Sequence, residues 1–169
     1  RALGADVDDR ARAGDEVRFT WNAGLARWKE MYEAGDKPNW RKINAEVNLR
    51  KRDDLAWMKD VPWAVPNNAL SDLGSAFTNF FRRVKAGDAK PGYPHFKKRG
   101  RCQEGFAIEG RALEFDARKV KVPKLGWVRT RQELRFPGKI LSARFTKRAG
   151  HWYVSIQVEV DDSWVYPHR

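Results

Sequence analysis

The stretch 89–101, AKPGYPHFKKRGR, divides this chain of 169 residues into two halves with different hydrophobic periods. Before it, apolar residues recur every three or four positions, as one face of a helix requires. After it they alternate with polar ones, as a half-buried strand requires. From Val17 to about Ala34 the spacing of Trp21, Leu25, Trp28 and Tyr32 predicts a helix, stopped by Gly35. Residues 1–16, with Leu3 and Val7 apolar, read as a helical approach to it. Asn39 is placed to cap a second helix through Trp40, Ile43 and Val47. A helical turn over Leu55–Lys59 follows, and then Pro66 opens a long helix to about Lys85, closed by Gly87-Asp88. Leu70, Leu73, Phe77, Phe80, Phe81 and Val84 form one stripe along it, which assigns the phenylalanines to the core rather than to base stacking. Beyond the loop, strands are predicted at 105–109, 112–116, 118–122, 126–131, 140–147 and 152–160, with Ala149-Gly150 turning the last two into a hairpin. The expected fold class is α+β: a helical bundle over residues 1–100, followed by a small antiparallel β-barrel over 101–169.

The charge follows the same division. The chain carries a formal net charge of +12, yet residues 82–148 hold 20 Lys and Arg against six Asp and Glu, and the remainder is slightly acidic. A merely solvated surface spreads its charge, whereas a concentrated excess suits a polyanion such as nucleic acid. Eight Trp and nine Phe exclude wholesale disorder. No apolar run approaches the roughly 20 residues that span a bilayer, and the charged first fifteen residues fit no signal peptide. A soluble protein is expected, with no membrane partner. Cys102 is the single cysteine, which excludes an intrachain disulfide and fits a cytosolic setting.

Catalytic chemistry finds no footing in the motifs. One cysteine and the scattered His95, His151 and His168 do not make a structural zinc site. No serine sits in a strand-to-helix elbow with a histidine and an acid to serve it. Gly92 and Gly100 lack the Lys-Ser/Thr ending of a phosphate loop. The pairs Asp53-Asp54 and Asp161-Asp162 read as capping or solvated acids, because adjacent side chains point apart. No catalytic residue, metal or cofactor is therefore expected in this chain.

Binding is better supplied. The loop offers Lys90, Lys97, Lys98, Arg99 and Arg101, with no acid among them, and presents Tyr93, His95 and Phe96 in between. Cations neutralise phosphates, and aromatic faces either stack on bases or plug the fold. Arg82, Arg83 and Lys85 lead into the loop from the long helix. Lys119, Lys121, Lys124, Arg129, Arg131, Arg144 and Arg148 continue the series, and in 118–122 and 128–131 the basic residues alternate with Val, giving one apolar and one cationic face. Asn67 and Asn68 are placed either to meet base edges and phosphates or to cap the long helix.

Several runs of this sequence also resemble the TnpB (OrfB) family of insertion-sequence proteins. Met58–Phe81, MKDVPWAVPNNALSDLGSAFTNFF, is similar to that family's helical element, and KPGYPHFKKRG to its proline–aromatic–proline–basic signature. PKLGWVRTR, FPGKILSARFTK and AGHWYVSIQVEV resemble its oligonucleotide-binding-like wedge barrel. VRFTWNAGLARW resembles its Arg-x-x-x-Asn-x-x-Leu helix, here Arg18, Asn22 and Leu25. The likeness runs in order over about residues 17–160. It implies an RNA-guided DNA endonuclease related to type V CRISPR effectors, in which guide–target pairing reads sequence while the protein grips the backbone and a short adjacent motif. By the same resemblance the first wedge strand, the RuvC acids with their divalent metal, and the four-cysteine zinc element are not found in these residues. What is implied for this chain is the recognition and wedge portion alone, in a prokaryotic cytoplasm, with guide RNA, target DNA and a remaining nuclease portion as partners.

Two other classes compete with this reading. A helix-turn-helix regulator would put its cations on a recognition helix, whereas here they gather on a loop and strands. A protein adaptor with an acidic partner gives no reason for aromatic residues within the basic loop.

Overall fold

The computed structural model describes residues 7–102, 105–135 and 137–160; Leu3 and Asp161-Asp162 lie outside the described residues. The helical half holds α1 (Val7–Glu33), α2 (Trp40–Arg50) and α3 (Ala64–Lys85), with a 3-10 turn at Ala56–Asp60. α1 begins well before Val17, so the helical approach and the amphipathic repeat are one helix. Asn39 caps α2 as expected, its side-chain oxygen accepting from the Arg41 N–H at 2.8 Å. α3 begins two residues ahead of Pro66, which still falls in its first turn.

Both long helices close on a left-handed glycine. At Gly35 (φ +81°) the N–H of Asp36 donates to Met31 O at 2.9 Å and that of Gly35 to Tyr32 O at 3.1 Å. At Gly87 (φ +78°) Asp88 donates to Arg83 O and Gly87 to Val84 O, each at 3.1 Å. Without a Cβ the glycine takes this conformation freely and the last carbonyls are satisfied.

α1 and α3 run side by side in the same direction: Gly24 sits against Leu70 and Leu73, and further along Trp28 stacks on Phe77 at 4.1 Å. Trp21, Leu25, Met31, Ile43, Val47, Leu55 and Met58 complete this helical core. The stripe on α3 behaves as a core stripe only as far as Phe77. α1 ends at Glu33, so Phe80 is partly covered, while Phe81 is 50% and Val84 48% exposed.

The second half comprises β1 (Gly105–Glu109), β2 (Glu114–Asp116), β3 (Lys119–Val122), β4 (Gly126–Arg129), β5 (Lys139–Arg148) and β6 (His151–Glu159). Two antiparallel three-stranded sheets form, in the orders β1-β5-β6 and β2-β3-β4. The hairpin turns at Ala149 (φ +47°) and Gly150 (φ +78°), and Arg148 pairs with His151 across it. The α+β class is as expected, but the closed barrel is not. Among the described residues no ladder joins one sheet to the other. A 3-10 turn at Gly110–Ala112 lifts the chain out of β1 before β2 can continue the ladder. The sheets share a core instead, with Phe106, Ile108, Ala143 and Phe145 meeting Val120, Val122 and Val128. Ala13 of α1, Val65 of α3 and Val61 just ahead of α3 enter the same core, so the helices cover one side of it.

Candidate nucleic-acid interface

The basic loop is fixed to α1 by two adjacent side chains. The Trp21 Nε1–H donates to the carbonyl of His95 at 2.9 Å. The Asn22 amide engages both backbone groups of Lys97, accepting from its N–H at 2.8 Å and donating to its carbonyl at 2.9 Å. One primary amide thus satisfies a donor and an acceptor that would otherwise need water or a strand partner. Pro94 is buried beneath the loop. The Arg-x-x-x-Asn-x-x-Leu spacing becomes intelligible here. Leu25 lies in the helical core, Asn22 is one turn back on the loop side, and Arg18 pairs with Asp15 at 2.9 Å.

Once the loop is strapped down, its side chains divide. Lys97 turns inward, with its ammonium 3.9 Å from the Trp21 ring centre. Burial lowers its pKa; nearby Arg144 acts in the same sense, and Asp72 opposes them. Lys98, Arg99 and Arg101 are exposed, and Arg99 comes within 3.8 Å of Asp15. His95 is exposed. Tyr93 packs edge-on against Phe77 and Phe80, and desolvation raises its phenol pKa. Phe96 is 48% exposed rather than plugged into the core, with the Lys29 ammonium 5.0 Å above its ring. Arg82, Arg83, Lys85 and Lys90 are exposed where α3 passes into the loop. Among the described residues none of these four, nor Lys98 or Arg101, has a salt bridge. Six cations without a salt bridge among the described residues therefore lie on α3's end and the strapped loop.

The other candidates fall elsewhere. Asn67 accepts from the Asn44 amide at 3.0 Å, and Asn68 donates to Ala107 O at 3.0 Å. These two hold α3 to α2 and to β1; neither caps the helix, whose N-cap is Trp63. Lys119, Lys121 and Arg129 lie on the outer face of the second sheet with Trp127, while Val120, Val122 and Val128 face the core. That face is less cationic than its lysines suggest. Lys121 pairs with Glu114 at 2.9 Å, and Asp116 lies directly opposite Lys119. Lys124 is exposed on a turn at φ +67°; Arg131 is exposed beyond the end of β4, and Arg148 is exposed as the last residue of β5. Arg144 is exposed on β5 and lines a shallow pocket of about 300 Å³ with Asp72, Asn68 and Ser142.

Residue-by-residue reading of the sequence missed Lys29, which sits over both Tyr93 and Phe96 from more than sixty positions away. It also missed what Trp21 and Asn22 do; the motif spacing was the one available signal. Among the described residues no three His, Cys, Asp or Glu side chains converge on a point that can hold a metal ion. No helix among them is long and apolar enough to cross a membrane.

No family model matches the chain. It is 33% identical over 165 residues, 96% of its length, to an Escherichia coli protein named "Putative RNA-guided DNA endonuclease InsQ". The chain spans 40% of that relative's length.

Proposed function

We propose that this chain, a TnpB-like relative of InsQ by the similarity just given, is the nucleic-acid-gripping portion of an RNA-guided DNA endonuclease. In this reading the helical half and its loop hold guide RNA and the guide–target duplex. The two-sheet half serves as the wedge, an open variant of the oligonucleotide-binding barrel, and together they meet the short DNA motif beside the target. Cutting, with its divalent metal, belongs to a nuclease portion that this chain does not span, and the setting is a prokaryotic cytoplasm.

One observation carries the proposal. The loop from Lys90 to Arg101 is held in place by Trp21 and Asn22, while Lys90, Lys98 and Arg101, with the cations of α3's end, have no salt bridge among the described residues; Arg99 alone of the outer cations pairs with Asp15. A fold that spends an amide and an indole on orienting such a loop is prepared for an anionic backbone, because the ordering entropy is met before the ligand arrives. The loop is kinked and studded with rings, which suits irregular or unpaired RNA better than a uniform duplex. The regulator reading fares worse. In α3, residues from Ala64 through Phe77 supply the core, and that stretch is not free to enter a major groove.

The test is a titration of the chain against guide-like structured RNA, single-stranded DNA and duplex DNA at two salt concentrations. Tightest binding to RNA, with every affinity falling as salt rises, is expected. A preference for plain duplex DNA would favour the regulator, and affinities indifferent to salt would overturn both.

A further inference from the structure

We propose that the groove between the ends of α1 and α3 is a stacking site for an unpaired base of a single strand whose phosphates run along the basic loop. The groove encloses about 410 Å³, within the range of sites that hold a small molecule. Phe77 forms its floor, stacked on Trp28 with only 4° between the planes, and Tyr32, Phe81 and Tyr93 are among its walls. Those walls are open: Tyr32 is 68% exposed, Phe81 50% and Tyr93 37%. Exposed rings gathered around one groove call for an occupant, since single exposed apolar side chains are ordinary but clusters of them are not.

Charge identifies the occupant. Lys29 lines the groove and lies 5.7 Å from the Tyr93 ring centre. Arg83 reaches from α3 toward the loop at Gly92, its guanidinium near that glycine's Cα. Glu33, also on the rim, is placed to accept from the amino or N–H edge of a base. An apolar protein segment would have to bury Lys29 and Glu33, neighbours one turn apart on α1, and taking a charged pair out of water is costly. A base offers a ring face to the walls, donors to Glu33 and a phosphate to the cations. Tyr93, on the groove wall, belongs to the same strapped loop as Lys98 and Arg101, so one strand can thread from groove to loop.

This rests on the reading of the chain as a nucleic-acid binder, and the experiment separates the two. Binding of a base-bearing single-stranded RNA is compared with that of an abasic strand of equal length and charge. The wild type and Tyr32→Leu/Phe81→Leu/Tyr93→Leu are both measured; leucine keeps the apolar bulk while removing the three open ring faces. We expect the wild type to favour the base-bearing strand about tenfold, as one stacked base provides, and the variant to bind both strands alike, with the abasic affinity unchanged. A 2-aminopurine in the strand should be quenched by the wild type and not by the variant. Equal binding of both strands by the wild type, or discrimination that survives in the variant, overturns the stacking site while leaving the backbone grip intact. Capture of an apolar peptide in the groove with no base discrimination overturns it in favour of a protein partner. Loss of salt-dependent binding to either strand overturns the parent reading itself.

Discussion

Glu16 shows how a single residue sets the chain's response to pH. Its carboxylate is fully buried in α1, and neither oxygen has a hydrogen-bond partner among the described residues. Burial pushes its pKa up to about 8; Asp60 adds to the rise and Lys51 opposes it. The carboxyl is therefore protonated in the fold at neutral pH but ionised in the unfolded chain above the ordinary value of 4.5. Between those two values the unfolded state binds fewer protons, so this residue's contribution to stability falls as pH rises from about 4.5 to about 8. Glu16→Gln, neutral at every pH, should flatten that decline and raise the unfolding free energy at pH 8. Denaturant melts at pH 5 and pH 8 check this, and a variant less stable than wild type at pH 8 would contradict it. Nothing in the sequence marked Glu16 out, because a lone acid on a helix is ordinarily solvated.

At the scale of elements, the strap between α1 and the loop separates geometry from charge. Asn22→Ala leaves every cation in place but orphans the N–H and C=O of Lys97. It should cost about 1–3 kcal/mol of stability, the usual penalty for half-buried polar groups left unpaired. RNA affinity should also weaken although the net charge is unchanged. Calorimetric melting with parallel RNA titration checks both; full affinity in a destabilised variant would mean the loop's shape is irrelevant to binding. The elements themselves were largely legible. The periods of α1, α2 and α3, the cap at Asn39 and the hairpin at Ala149-Gly150 stand where local chemistry put them. The stripe on α3 was misread beyond Phe77 because periodicity records which face is apolar, not how far a neighbouring helix extends to cover it.

For the whole molecule, the alternation along the strands fixed which residues face inward but not which strands pair. Two facing sheets and a closed barrel bury the same alternating residues, so the sequence pattern does not distinguish them. The candidate site was legible in the same partial way. Its cations were named from the sequence, but long-range contacts sorted them. Lys97 is turned inward over Trp21, Asn67 and Asn68 tie elements together, and Lys121 is matched by Glu114. The proposed grip is narrower than the charge run suggested: it centres on the end of α3 and the outer side of the strapped loop, and leaves aside the exposed Lys119, Lys124, Arg129, Arg131, Arg144 and Arg148.

That narrowing is tested most directly by the salt dependence of RNA affinity in Lys98→Ala/Arg101→Ala set beside Lys119→Ala/Arg129→Ala. Both double variants remove the same charge from exposed positions. The loop variant should lose affinity across all RNA sequences, and its slope of log affinity against log salt should flatten by about 0.7 per cation removed. The sheet variant should change little. Equal effects from the two, or an unchanged slope in the loop variant, would contradict the claim that this loop is where the chain grips nucleic acid.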